Sequence, residues 1–332
     1  MPGRPAPIAH VLRSGFVESV HHGHAVALGG DGAVVVTTGA PEEPVFARSC
    51  LKPLFAAAMV RAGLDVPAHL LALAQSSHSG EAYHLDGVRR LLAVAGLDVT
   101  DLRNTGGAPL DPDEAARWRV EGRGSTRLAQ NCSGKHAAML VTCAVNGWDR
   151  KTYFRPEHPL QVLLRDAVED LAGEPVAVSG VDGCGAVVHA VSLTGLARAF
   201  ARIAAAPAGT PEGRVAEANR RHPEWVGGTG RYVTELVRAV PGLVAKDGAE
   251  AVCAAGLPDG RAVAVKVSDG AERPLRPVLA ALITALLPAS SASGGERSPA
   301  SPALERFARA PVFGHGVPVG AVVPLPRRTP PG

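Results

Sequence analysis

Lysine is scarce in this 332-residue chain. Of 34 basic residues only Lys52, Lys135, Lys151, Lys246 and Lys266 are lysine, and the other 29 are arginine. A guanidinium keeps its proton at any working pH, whereas a buried ammonium can surrender it. A chain that meets its surface need for cations with arginine is expected to keep lysine where the nitrogen must be able to lose a proton. Aromatic residues are also few, at 4%, and the net charge is only +3, with the arginines scattered among acids. Such a chain lacks the basic stripe and stacking platforms of a nucleic-acid binder, so no nucleic-acid partner is expected. No apolar run approaches the roughly 20 residues needed to span a bilayer, so no membrane partner is expected either. The opening Met1-Pro2-Gly3-Arg4-Pro5 has no apolar core of a secretory signal. The five cysteines are odd in number and widely spaced, which suits thiols in a reducing compartment rather than disulfides. The expected location is cytoplasmic.

What is present is globular: 46% hydrophobic and 20% charged residues. His24 to Leu28 and Ala33 to Thr38, joined by Gly29-Gly30-Asp31-Gly32, read as a β-hairpin. From about Ser49 the spacing turns helical, with helices predicted over 54–62, 69–75, 81–95, 112–118, 135–146, 159–172, 193–205, 212–220 and 232–240. A short strand is expected at 175–179. Strands return at 243–246, 251–255 and 261–267, followed by a helix over 273–287, a short helix near 303–308 and an apolar run at 317–323. This order predicts an α+β fold with an antiparallel sheet from the chain ends and a helical middle. The expected organisation is a single catalytic domain over residues 1–287, a flexible Pro/Ser-rich linker at 288–302, and a C-terminal segment, 303–332, returning to that domain. Alternating βαβ units and a Gly-rich phosphate loop are both missing, which argues against a dinucleotide fold.

Three lysines sit in segments with chemical character. Ser49 and Lys52 are three apart at a predicted helix start, so hydroxyl and amine share one face, and Pro53 pins the pair to the first turn. A neutral lysine beside a serine can take its proton and make it a nucleophile, as in the Ser-x-x-Lys signature of penicillin-binding proteins and serine β-lactamases. The same spacing also suits a plain capped helix start. Cys132, Lys135 and Cys184 form a second group. Two thiolates are natural zinc ligands and a neutral amine is an uncommon third donor, while two buried thiols or a redox pair are the other readings. Lys266 lies in an apolar strand, either at a half-exposed edge or as a buried functional amine. Ser77, in Ser76-Ser77-His78-Ser79-Gly80-Glu81, either presents a hydroxyl or simply turns the chain into the next helix. His21, His22 and His24 match no standard metal spacing and read as structural.

Taken together the segments resemble the rhizobial-type (class 3) L-asparaginases, the asparaginase II family. The matching stretches, spread over Glu18 to Gly270, are Glu18-Ser19-Val20-His21, Arg48-Ser49-Cys50-Leu51-Lys52-Pro53, Ser77-His78-Ser79-Gly80-Glu81, Asn131-Cys132-Ser133-Gly134-Lys135-His136 and Asp182-Gly183-Cys184-Gly185. His158-Pro159, His222-Pro223-Glu224, Lys246-Asp247-Gly248-Ala249-Glu250 and Lys266-Val267-Ser268-Asp269-Gly270 complete them. The resemblance implies a fold related to the serine β-lactamases and penicillin-binding proteins, a small-molecule substrate (L-asparagine), and a homodimer. It also implies two tandems, Ser49 with Lys52 and Ser77 with Lys266, and a zinc held by Cys132, Lys135 and Cys184. Arg48 and Asp182 are the candidates for holding the substrate α-carboxylate and α-amino group. A departure stands at Gly106-Gly107-Ala108-Pro109, where many relatives carry a histidine after a glycine pair. The competing classes are a Ser-Lys hydrolase of peptides or β-lactams and a non-catalytic zinc-binding protein. The first would bring Ser-x-Asn and Lys-Thr-Gly elements that are missing here.

Overall fold

The computed structural model describes residues 3–287 and 302–325. The predicted linker therefore lies outside the described residues except for its last position. Along the chain run β1 (Ala6–Arg13), β2 (Phe16–Leu28), β3 (Val34–Thr38) and β4 (Pro44–Phe46), then a 3₁₀ turn over Arg48–Leu51. Next come α1 (Lys52–Arg61), α2 (Ala68–Ala74), α3 (Ala82–Ala93), α4 (Pro112–Val120), α5 (Ser133–Val145) and α6 (Pro159–Ala172). They are followed by β5 (Val178–Val181), β6 (Val187–Ser192), α7 (Leu193–Ala205), α8 (Pro211–Arg221), α9 (Pro223–Val226) and α10 (Tyr232–Ala239). The last elements are β7 (Val244–Gly248), β8 (Val252–Gly256), β9 (Ala262–Val267), α11 (Leu275–Leu286), α12 (Pro302–Glu305), β10 (Ala310–Gly314) and β11 (Val317–Pro324). The chain is α+β.

These elements form two compact units. One comprises Met1–Cys50, Val191–Ala205 and Leu236–Gly332. Its core is an antiparallel sheet in the order β10-β11-β1-β2-β9-β8-β7, with β3 added on β2, so strands come from both ends of the chain. The predicted hairpin is β2–β3, with Ala25 opposite Thr38, and Asp31 Oδ1 accepts the Ala33 N–H at 3.0 Å to shape its turn. β9 lies between β2 and β8 and is almost wholly buried, which its Ala-Val-Ala-Val run permits, because an interior strand covered by helices has no wet face. α7 and α11 pack on this sheet. Strand β1 was not predicted: Pro7 breaks its pattern, and the proline sits where the β1–β2 register shifts between Pro7 and Ala9, an irregularity that tolerates it.

The other unit comprises Leu51–Ala190 and Ala206–Glu235. α1 is its central helix, packed by α6 and α8 and buried from Lys52 to Val60. A helix that is apolar all round must be interior, so Lys52, its one charged residue before Arg61, is carried into the core. α2 and α5 meet closely at Gly134, where any Cβ would stand 2.4 Å from the Leu73 carbonyl oxygen. Glycine is required there because it lets the start of α5 press on the end of α2. That contact sets the Cys132–Lys135 segment beside the Ser76–Gly80 loop that leaves α2. The β5–β6 hairpin, with Val181 opposite Val187, supplies the turn that carries Cys184.

Candidate active site

Lys52 is 1% exposed. Its Nζ donates to the Ser76 carbonyl and lies 3.0 Å from Ser77 Oγ and 3.2 Å from Cys132 Sγ. Ser77 itself is buried, on a loop with no helix or strand to satisfy its backbone. The loop is instead clamped by its neighbours: Ser77 N–H donates to Val226 O (3.0 Å), His78 N–H to Asn131 O (3.1 Å), and Ser79 N–H to Gly227 O (2.9 Å). Sequence spacing offered no sign that Lys52 would meet Ser77, 25 residues away, because the meeting is made by tertiary packing.

The thiol group assembles around α5. Lys135, 1% exposed, places Nζ 3.2 Å from Cys184 Sγ, which is buried at the tip of the β5–β6 hairpin. A hydrogen bond from the Cys132 thiol, aided by Lys135 and opposed by burial, brings the Cys184 pKa down to about 4. Donating that bond, together with burial, pushes Cys132 up to about 12. Burial works to lower the Lys135 pKa, but the charges of Cys184, Cys132 and Asp182 outweigh it and the net shift is upward. Asp182 is partly exposed, its backbone N–H bound to Ala186 O at 2.9 Å and its Oδ1 accepting the Gly183 N–H at 2.8 Å.

Among the described residues no group of three or more His, Cys, Asp and Glu is placed to hold a metal ion. Cys132, Lys135 and Cys184 include a lysine and test differently. Tetrahedral zinc with Zn–S near 2.3 Å and Zn–N near 2.0 Å separates a nitrogen and a sulfur ligand by about 3.5 Å. The 3.2 Å between Lys135 Nζ and Cys184 Sγ is close to that one edge. Three amides that the sequence reading missed hold Cys132 in place. Gln130 Oε1 accepts the Cys132 N–H (2.9 Å) and an Asn104 Nδ2–H (3.1 Å), and Gln130 Nε2 donates to Asn131 Oδ1 (2.8 Å). The departing segment is fixed nearby, Gly107 and Thr126 exchanging two backbone hydrogen bonds of 3.0 Å.

The remaining candidates belong to the sheet-containing unit. Arg48, just before Ser49, has φ +49°, a left-handed conformation that costs a non-glycine residue about 1 kcal/mol or more. Gly248 backs this turn: a Cβ there would stand 3.1 Å from both Ser49 N and Ala47 O. Cys50 Sγ, buried, donates to Lys246 O at 3.1 Å, and burial holds its pKa well above the usual thiol range. Lys266 is half-buried on an interior strand, not at an edge, and its Nζ donates to the Glu250 and Val267 carbonyls. Burial lowers its pKa against the pull of Glu250 and Asp269, with Arg48 adding to the lowering. Glu250 and Ala251 both have positive φ, and Lys266 braces their turn. Lys246, not among the lysines singled out from sequence, is 0% exposed and bonded to the carbonyl and carboxylate of Asp247. His24 proves structural: its Nδ1 accepts the Ala40 N–H at 2.9 Å.

The site therefore sets a sealed amine against a serine hydroxyl, with a thiol–amine group beside it. Comparison with known families narrows the class. The model of the L-asparaginase II family matches residues 9–324, and the chain belongs to that family. It is an asparaginase, an amidohydrolase acting on a small-molecule substrate. No curated protein matches the chain. No helix among the described residues is long and apolar enough to cross a membrane.

Proposed function

We propose that this asparaginase hydrolyses L-asparagine to L-aspartate and ammonia through an acyl-enzyme, with Ser49 as nucleophile and Lys52 as its base. The observation that carries the reading is the seat of Lys52, a fully buried amine 3.0 Å from one serine hydroxyl and three residues after another. The role needs the amine neutral when substrate arrives. Ser49 Oγ attacks the side-chain amide carbon as its proton passes to Lys52 Nζ. N–H groups of the Arg48–Leu51 turn stabilise the oxyanion. The C–N bond then breaks, and ammonia leaves with a proton relayed through the Ser77 hydroxyl. Water, giving a proton back along the same route, attacks the ester and releases aspartate and Ser49. Lys266, bonded to the Glu250 and Val267 carbonyls, is the second amine of this reading. Arg48 takes the substrate α-carboxylate and Asp182 its α-ammonium.

Cys132, Lys135 and Cys184 would hold zinc, which when bound supplies a Lewis-acid centre that orders the substrate. A serine β-lactamase-like fold, a homodimer and a cytoplasmic location complete the reading. Ser49→Ala is expected to abolish ammonia release with the melting temperature unchanged, and wild-type protein quenched with asparagine should carry an aspartyl adduct on Ser49 by mass spectrometry. An active Ser49→Ala enzyme, or an adduct on another residue, overturns Ser49 as nucleophile.

A further inference from the structure

Two buried imidazoles stand beside the Ser77 loop, and the hydrogen bonds around them fix where each proton lies. Ser133 Oγ donates to the Leu128 carbonyl at 2.8 Å. A carbonyl oxygen can only accept, so the single hydroxyl hydrogen of Ser133 is spent there. His78 Nε2, 2.8 Å from the same Oγ, must therefore be the donor of that second bond. His78 then carries its proton on Nε2 and leaves Nδ1 as a bare lone pair. Nδ1 is buried with no hydrogen-bond partner, which a neutral ring tolerates and an imidazolium would not. The same deduction holds for His84, whose Nε2 faces the Glu224 carbonyl at 3.0 Å and whose Nδ1 is likewise buried and unpartnered. The two rings stack, with centroids 5.1 Å apart and planes 18° apart.

We infer that His78 is a positioning residue of the asparaginase site: a neutral imidazole, protonated on Nε2, that locks the Ser77 loop to the first turn of α5 through Ser133. The inference rests on the proposed catalytic role of Ser77 and Lys52, and deepens it. His78 neighbours Ser77 in the chain, while Ser133 follows Cys132 and opens the first turn of α5, the turn that carries Lys135. Its backbone N–H also reaches Asn131 O at 3.1 Å, so one residue joins the serine loop to the thiol–amine segment by both main chain and side chain. His84 packs against the ring and holds it in place. Burial, with the charges of His84 and Lys52, keeps His78 far below the usual imidazole range, in accord with a ring that stays neutral.

The test pairs spectroscopy with kinetics. Nitrogen-15 NMR of histidine-labelled wild-type protein is expected to show His78 in the Nε2–H tautomer from pH 5 to 8. His78→Phe keeps the ring but not the donor, and should lower kcat by tenfold or more, up to about 100-fold, with KM little changed, because a positioned hydroxyl drifts while substrate contacts stay. His78→Gln, whose Nε2 can reach Ser133, should recover most of that loss, and Ser133→Ala should add little to His78→Phe. An Nδ1–H or charged ring, or His78→Phe with wild-type kcat, overturns the inference. A fold lost in His78→Phe would leave the tautomer and the Gln rescue to decide the matter. Should Ser77→Ala retain full activity, the catalytic reading fails while the tautomer result still stands or falls by itself.

Discussion

Replacing Lys52 by arginine separates charge from basicity. The site is filled: the amine is 1% exposed, with Ser76 O, Ser77 Oγ and Cys132 Sγ as neighbours, the latter two at 3.0 and 3.2 Å. A guanidinium is larger, and forcing it into a packed core costs roughly 1–3 kcal/mol, which a thermal melt would register as a drop of a few degrees. It also holds its proton at every working pH, so it can stabilise negative charge but cannot take a proton from serine. Loss of the general base is expected to lower kcat by about 10²–10⁴, equivalent to roughly 3–5 kcal/mol of barrier. Lys52→Met is the companion variant, similar in length and apolar. It leaves the Ser76 carbonyl without its amine partner, at about 1–3 kcal/mol, and should lose activity to the same degree. Ammonia release at saturating asparagine, read beside melts of each variant, gives the answer. If Lys52→Arg turns over within tenfold of wild type while Lys52→Met is dead, the site needs a fixed cation and the base assignment is refuted.

Titrating zinc into metal-free protein should give one tight site whose affinity falls as pH falls, because Lys135 and Cys132 must shed protons to bind. Lys135→Arg should abolish that binding, and affinity independent of pH would remove lysine from the ligand set. Acid stability should decline well above the range where carboxylates titrate. Burial, only partly offset by the Glu224 carbonyl and Glu81, lowers His84 from 6.5 to about 4, so the unfolded chain binds a proton that the folded chain refuses. The associated stability is fully present above pH 6.5 and is lost as pH falls toward 4, by about 3 kcal/mol for this group. Urea midpoints measured from pH 7 to 4.5 check this, and a flat series would contradict a neutral buried His84.

Local chemistry made much of the fold legible. α6 was read to the residue because Pro159 opens it and Gly173, at φ +67°, closes it in a left-handed cap. The strands expected at 251–255 and 261–267 correspond to β8 and β9, which pair with Val252 opposite Lys266. β6 was missed for the opposite reason: all six of its residues are buried, so it has no alternation to read and runs straight into α7. Within the site, Ser49, Lys52, Cys132, Lys135 and Cys184 could be proposed from spacing and resemblance. Which amine meets which hydroxyl could not, since the 3.0 Å approach of Lys52 to Ser77 depends on how α1 and α2 are set in the core.

Apart from Lys151, the few lysines share one structural property, which is burial. Lys52, Lys135 and Lys246 are all at 1% exposure or less, Lys266 is half-buried, and Lys151 alone is exposed. A coding bias that spared five codons at random would have left most of them on the surface, where lysine nearly always lies. The distribution is the reverse. A buried ammonium is tolerated only where partners offset its desolvation, so each retained lysine marks a place where the chain holds an amine against the cost of burial. For Lys246 that partner is Asp247, bonded to it on β7. An amine bonded to its neighbouring carboxylate braces β7, whereas Lys52 is set against a hydroxyl, a thiol and a carbonyl. The same residue type, held in the interior each time, thus meets a different set of partners at each position.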